Sequence, residues 1–164
     1  MEEDIKKDHF YLEPGHIYFS KEPVIVSTVV GTCVAVCIWD KKKYFGGMNH
    51  FMYPFEDRKT LTTSIFGNVS TAMLLKMFRK AESKLEDLEA QIFGGAHPDT
   101  AIQKEIGKEN AKHAKQVLTK RKIKVVSVDV GGNRGRKIVF DTVTGHVAVI
   151  KVKRIRKVDW FPYE

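Results

Sequence analysis

Two apolar, β-branched runs, residues 24–30 and 33–39, meet at Gly31-Thr32. A third run, 45–53, follows after Asp40 and three lysines. Apolar runs flanking a short polar loop are the signature of a hairpin. The chain is therefore organised around a strand pair whose turn is 40–43, with Gly31 as a bend or bulge before it. The first arm carries Cys33 just after Gly31-Thr32, and the second carries His50 just after Gly46-Gly47-Met48-Asn49. A hairpin brings such residues together, and a cysteine beside a histidine is the minimum apparatus of thiolate catalysis.

The rest of the chain supplies more strands and two helices. Strands are expected at 16–19, 88–93, 123–130, 137–141 and 147–152. A helix over 68–84 would be capped by Asn68 or Ser70, with Val69, Ala72, Met73 and Met77 as its apolar face. A second over 107–122 would bury Ala111, Ala114, Val117 and Leu118. Turns are read at 97–100 and at the glycine-rich 131–135. Some neighbouring strands look hairpin-connected and others helix-connected, which predicts an α+β fold: one layered domain over 1–164 with mixed sheet and flanking helices. Residues 1–10 are expected to fray, and 154–164 form a basic, aromatic tail.

A chain of 164 residues buries roughly 70% of its unfolded surface and needs no staples. Cys33 and Cys37 would lie about 13 Å apart on one strand, beyond the roughly 4.4–6.8 Å that a disulfide spans. The pair therefore stays reduced and the chain is read as cytoplasmic. The acidic start Met1-Glu2-Glu3-Asp4 is no signal peptide. The longest apolar stretch, 24–38, is broken by Ser27, Thr28, Gly31 and Thr32, so no membrane insertion is expected. The net charge of +8 favours an acidic partner.

Cys33 is the expected nucleophile, with Gly31 and Thr32 supplying backbone amides for an oxyanion. His50 is the expected base, leaving a thiolate–imidazolium pair. Ser27 or Thr28 would accept the other imidazole N–H and fix the tautomer. Cys37, between Val36 and Ile38, reads as core. The turn at 131–137 lacks the spacing of a phosphate loop. The scattered His9, His16, His97, His113 and His146 offer no metal site, and no cofactor is expected.

Five motifs occur in order: Gly31-Thr32-Cys33-Val34-Ala35-Val36, Gly46-Gly47-Met48-Asn49-His50-Phe51, Phe93-Gly94-Gly95-Ala96, Ile106-Gly107-Lys108-Glu109-Asn110, and 129–137 from Asp129 to Lys137. Together they resemble the CheD family of chemoreceptor glutamine deamidases. The resemblance implies a layered fold similar to that of Cys-His toxin deamidases. It implies hydrolysis of selected glutamine amides on chemoreceptor cytoplasmic helices, through a cysteine thioester, to glutamate and ammonia. The family's cysteine and histidine fall on Cys33 and His50. Its threonine, six positions before the cysteine, falls on Ser27, which keeps the hydroxyl and loses a methyl; Thr28 stands beside it. Gly46, Gly47 and Asn49, with Arg134 and Arg136, are the expected substrate or partner surface. A CheC-type phosphatase is the family's other partner. The rival readings are a non-catalytic adaptor of the same fold and a basic nucleic-acid-binding module; no nucleic-acid partner is expected.

Overall fold

The computed structural model describes residues 6–56, 58, 63–97 and 101–153. Its strands are β1 (Asp8–Tyr11), β2 (Ile17–Ser20), β3 (Val24–Val30), β4 (Val34–Asp40), β5 (Phe45–Phe51), β6 (Leu88–Gly94), β7 (Lys124–Val130), β8 (Gly135–Asp141) and β9 (Val147–Val152). Its helices are α1 (Gly67–Lys80) and α2 (Ala101–Lys120). A five-stranded sheet runs β2-β5-β4-β6-β7 and a four-stranded sheet runs β1-β3-β8-β9. Each contains one parallel pair, β6 with β7 and β1 with β3, among antiparallel ones. The expected α+β architecture with mixed sheets is what the chain adopts.

Strand periodicity explains the layering. Successive side chains point to opposite faces, and β4 is apolar on both. Val34, Val36 and Ile38 face the helices, where they meet Leu74, Leu75 and Phe78 of α1 and Ala114 and Leu118 of α2. Ala35 and Cys37 face the second sheet, with Met48, Val24, Val26, Val30, Ile138 and Phe140. The order is helices, five-stranded sheet, four-stranded sheet. β4 lies at the centre with both faces covered, which is why its sequence is an unbroken hydrophobic run.

Several expectations are corrected. Asp8–Tyr11 is not frayed but pairs in parallel with β3, from Asp8 opposite Val24 to Tyr11 opposite Ser27. Helix α1 turns a different face inward: Gly67, Ser70, Thr71, Leu74, Leu75 and Phe78 are buried, while Met73 is exposed. Two leucines and a phenylalanine, each worth roughly 1.5–3 kcal/mol when fully buried, outweigh the alanine-methionine stripe. Its N-cap is Phe66, with no side-chain cap. Asn68 instead pairs with the backbone of Glu56 through both amide atoms. Helix α2 begins six residues before the expected start, so Gly107 lies inside it. A Cβ there would sit 2.1 Å from the carbonyl oxygen of Ala96. Gly107 thus marks a close approach of the helix to the chain, not a helix boundary. The expected turn residues 98–100 and the tail 154–164 lie outside the described residues.

Candidate active site

β3 belongs to one sheet and β4 to the other, so the chain crosses between sheets at Gly31-Thr32-Cys33. Cys33 sits in this corner, one residue before the strand expected to hold it. Three successive carbonyls of the corner are tied down. Gly31 O accepts from Ala96 N at 2.9 Å and Cys33 O from Gly95 N at 2.8 Å. Thr32 O accepts from Asn110 Nδ2 at 2.9 Å. In a trans peptide the N–H points opposite to the C=O. Tying the Gly31 and Thr32 carbonyls to Ala96 and Asn110 therefore turns the N–H groups of Thr32 and Cys33 the other way. The Cys33 N–H lies against its own sulfur. This is the arrangement an oxyanion site needs: backbone donors fixed beside a nucleophile.

Gly94 makes the corner possible. It has φ +116°, and a Cβ on it would lie 2.2 Å from the Cys33 carbonyl oxygen. Only glycine allows β6 to end this close to the cysteine.

His50 lies on β5 directly opposite Ala35. Its backbone is fixed from the far side, its N–H donating to His16 O at 3.1 Å and its carbonyl accepting from Gly15 N at 2.7 Å. Cys33 precedes Ala35 by two residues and packs on the same inter-sheet layer. In an antiparallel ladder that is the diagonal neighbour position, roughly 7–8 Å between backbones and within reach of long side chains. The register therefore puts Cys33 diagonal to His50 on the same face of the hairpin.

The third group is Thr28. Its Oγ1 stands 2.7 Å from His50 Nδ1 and donates at 2.8 Å to the carbonyl of Leu12. A hydroxyl has one proton. Once that proton is given to Leu12 O, Oγ1 can only accept at His50, so Nδ1 carries the hydrogen. The basic lone pair is then on Nε2. Ser27 does not share this position. Val24, Val26, Thr28 and Val30 form the inward face of β3, and Ser27, the residue between, points to the opposite face. The hydroxyl in contact with His50 is that of Thr28.

Burial disfavours the charged form of both Cys33 and His50. His50 is fully buried, and desolvation, aided by nearby His16, lowers its pKa to about 3. Desolvation raises the partly exposed Cys33 to about 11, against the opposing effect of its own backbone N–H. Desolvation of both groups works against the expected resting thiolate–imidazolium pair and favours a thiol beside a neutral imidazole. Cys37 is buried between the sheets and its thiol is pushed up further by desolvation alone.

The expected substrate surface is mostly interior. A Cβ on Gly46 would meet Ile38 O at 2.7 Å and Phe140 Cζ at 2.9 Å. One on Gly47 would meet Tyr18 O at 2.7 Å and Leu74 Cδ1 at 2.8 Å. These glycines admit the second sheet and α1, not a substrate. Asn49 is buried toward α1, its Oδ1 accepting from Val36 N at 2.9 Å and its Nδ2 donating to Thr71 Oγ1 at 3.3 Å. Arg136 is buried as well. It donates to Asp129 Oδ1 at 3.1 Å and to Gly131 O at 2.9 Å, holding β7, β8 and their turn together. Arg134 alone of this group is exposed.

Asn110, the last residue of the Ile106–Asn110 motif, touches both arms of the site. Its Nδ2 donates to Thr32 O at 2.9 Å, one residue before Cys33, and to Met52 O at 3.0 Å, two residues after His50. Helical phasing marks Asn110 as inward-facing beside Ala111 and Ala114, and a buried amide on an apolar helix face is the signal that singles it out. A cleft of about 350 Å³ lined by Phe10, Tyr11, Leu12, Glu13, His16 and Ile17 adjoins the segment that supports Thr28 and His50. Among the described residues no cluster of three His, Cys, Asp or Glu side chains could hold a metal, and no helix is long and apolar enough to cross a membrane.

The chain is similar to known proteins over most of its length. Residues 43–151 match the model of the family described as CheD chemotactic sensory transduction. The chain is similar to the probable chemoreceptor glutamine deamidase CheD of Trichlorobacter lovleyi, 37% identical over 88% of this chain and 91% of the relative. It is similar also to that of Sulfurimonas denitrificans, 31% identical over 88% of this chain and 94% of the relative. A third, CheD 2 of Geobacter sulfurreducens, is 33% identical over 91% and 93% respectively.

Proposed function

Since this chain belongs to the CheD family, we propose that its Cys33–His50 pair deamidates glutamine side chains of chemoreceptor cytoplasmic helices, acting on the cytoplasmic side. The observation that carries the chemistry is the Thr28–His50 contact, which puts the proton on Nδ1 and the basic lone pair on Nε2.

The steps follow from neutral reactants. As Cys33 Sγ attacks the glutamine Cδ, its proton passes to His50 Nε2. Charge develops on the amide oxygen, against the N–H groups of Thr32 and Cys33. His50, now imidazolium, gives its proton to the departing nitrogen, and ammonia leaves. Water, activated by neutral His50, then attacks the thioester carbonyl; glutamate is released and the thiol restored. Proton transfer coupled to attack avoids a free thiolate in surroundings that disfavour one. A CheC-type phosphatase is the proposed competing partner, and adding one would slow deamidation.

The test is mass spectrometry of a purified chemoreceptor cytoplasmic fragment after incubation with the protein or its Cys33→Ala variant. Replacing an amide NH₂ by OH adds about one mass unit, and cysteine dependence is what a cysteine nucleophile requires. A gain at defined glutamines with wild type alone is expected. No gain, or an equal gain with the variant, would remove the assignment and favour the adaptor reading.

A further inference from the structure

Helix α2 borders a groove of about 430 Å³ whose floor is Gly95, Ala111, Val130 and Gly131. Its wall carries Lys108, Lys112 and Lys115, all exposed, and none of the described residues lining it is acidic. The three lysines follow one another at i, i+4 and i+7, one helix face over roughly 10 Å. Glu109 is not among the residues lining the groove. The next cleft along, beyond Val130 and Gly131, adds exposed Arg134 and Lys151. Its one carboxylate, Asp129, is held by Arg136 at 3.1 Å and faces Lys151 at 3.6 Å.

The groove borders the corner through backbone hydrogen bonds. Gly95 N donates to the Cys33 carbonyl, Ala96 N to that of Gly31, and Gly131 N to Gly94 O at 3.0 Å. The groove therefore borders the carbonyl side of the corner that carries Cys33, with the Thr32 and Cys33 N–H groups turned the other way.

We propose that this groove seats the acidic face of the substrate helix. The proposal rests on the deamidase reading and adds how the substrate is recognised: carboxylates at helical spacing meet Lys108, Lys112 and Lys115, while small apolar residues lie on the glycine-rich floor. Gly131 presents no side chain to the floor, whereas the space beside Gly95 is taken by Gly107 O and Ala111 of α2. Steering by opposite charge raises the encounter rate and falls with salt.

The experiment compares wild type, Lys112→Glu/Lys115→Glu, and a control, Lys21→Glu/Lys42→Glu, which makes the same charge change at exposed positions outside the groove. Deamidation of a purified chemoreceptor cytoplasmic fragment is followed at low and high salt. Binding of the same fragment is measured with each variant in a Cys33→Ala background. The groove variant is expected to raise KM at least tenfold at low salt with kcat nearly kept, to lose most of the salt dependence, and to weaken binding likewise; the control should behave as wild type. Unchanged KM and binding in the groove variant, while wild type deamidates normally, would overturn the groove alone. Equal losses in the control, or a groove that binds an oligonucleotide and not the fragment, would overturn it too. Groove-dependent binding without any deamidation would uphold the groove and remove the enzyme reading.

Discussion

The hydroxyl of Thr28 lies 2.7 Å from His50 Nδ1 and is spent, through its only proton, on the carbonyl of Leu12. This joins the two sheets at the reacting centre, since Thr28 comes from β3 and His50 from β5. The tautomer of the base is thereby set by the packing of one sheet on the other. The segment after β1 takes part as well, by placing the Leu12 carbonyl.

Thr28→Val keeps the shape of the side chain and removes the acceptor. The Nδ1 proton is then left without that partner in a buried site, at a cost of about 1–3 kcal/mol, and the tautomer is no longer held. Turnover of the receptor fragment should fall roughly 10- to 100-fold. Thr28→Ser should recover most of it, and Ser27→Ala should stay near wild type. Steady-state kinetics on the three variants checks the order; a larger loss in Ser27→Ala than in Thr28→Val would return the orienting role to Ser27.

Neutral reactants predict a characteristic pH profile. With His50 at about 3 and Cys33 at about 11, both remain in the competent form across the physiological range. The kcat/KM should be flat from about pH 5 to 9, without the base limb near neutrality that a low-pKa thiolate gives. Alkylation of Cys33 by iodoacetamide should be slow at pH 7 and accelerate steadily above pH 9. Fast alkylation at pH 6 would mean a resting thiolate.

Acid stability follows from the same burial. The pKa of His50 is lowered on folding, so below its ordinary value of 6.5 the unfolded chain takes up a proton that the folded chain refuses. Its contribution is complete above 6.5 and is lost as pH falls toward 3, at roughly 1 kcal/mol for each pH unit. Cys33 and Cys37 act at the other end. Their raised values make the fold lose stability as pH climbs above 9. Denaturant midpoints for wild type and His50→Gln between pH 7 and 4 should converge as pH falls, because the variant lacks the titrating group.

The hairpin that puts Cys33 and His50 on neighbouring strand ends was legible because it rests on local rules: strand alternation, a polar turn, and glycine at a bend. What escaped was set by distant contacts. The glycines before His50 read as open backbone, yet Phe140 and Leu74 fill the space above them. Arg136 read as a surface cation, yet Asp129 and the carbonyl of Gly131 bury it. The choice between Ser27 and Thr28 turned on which face of β3 meets the second sheet, and adjacent hydroxyls leave that open until the sheets are paired. Gly107 read as a helix start because its partner, the Ala96 carbonyl, is eleven residues away.

Asn110 supplies the last prediction. One amide nitrogen holds the carbonyls of Thr32 and Met52, so the arms bearing Cys33 and His50 are fixed relative to each other by a third element, α2. Asn110→Asp preserves size and replaces the donor by oxygen facing two carbonyls, which drives the arms apart. Asn110→Ala removes the clamp without repulsion and strands two buried acceptors, at about 1–3 kcal/mol. Both variants should lose more in kcat than in KM, because misplacing the reacting groups by about 1 Å costs on the order of 100-fold in rate. Loss of folding alone would lower the active fraction and leave the kcat of the folded molecules intact. Titrating active sites by alkylation of Cys33 separates the two, and a normal rate per titrated site would make Asn110 merely structural.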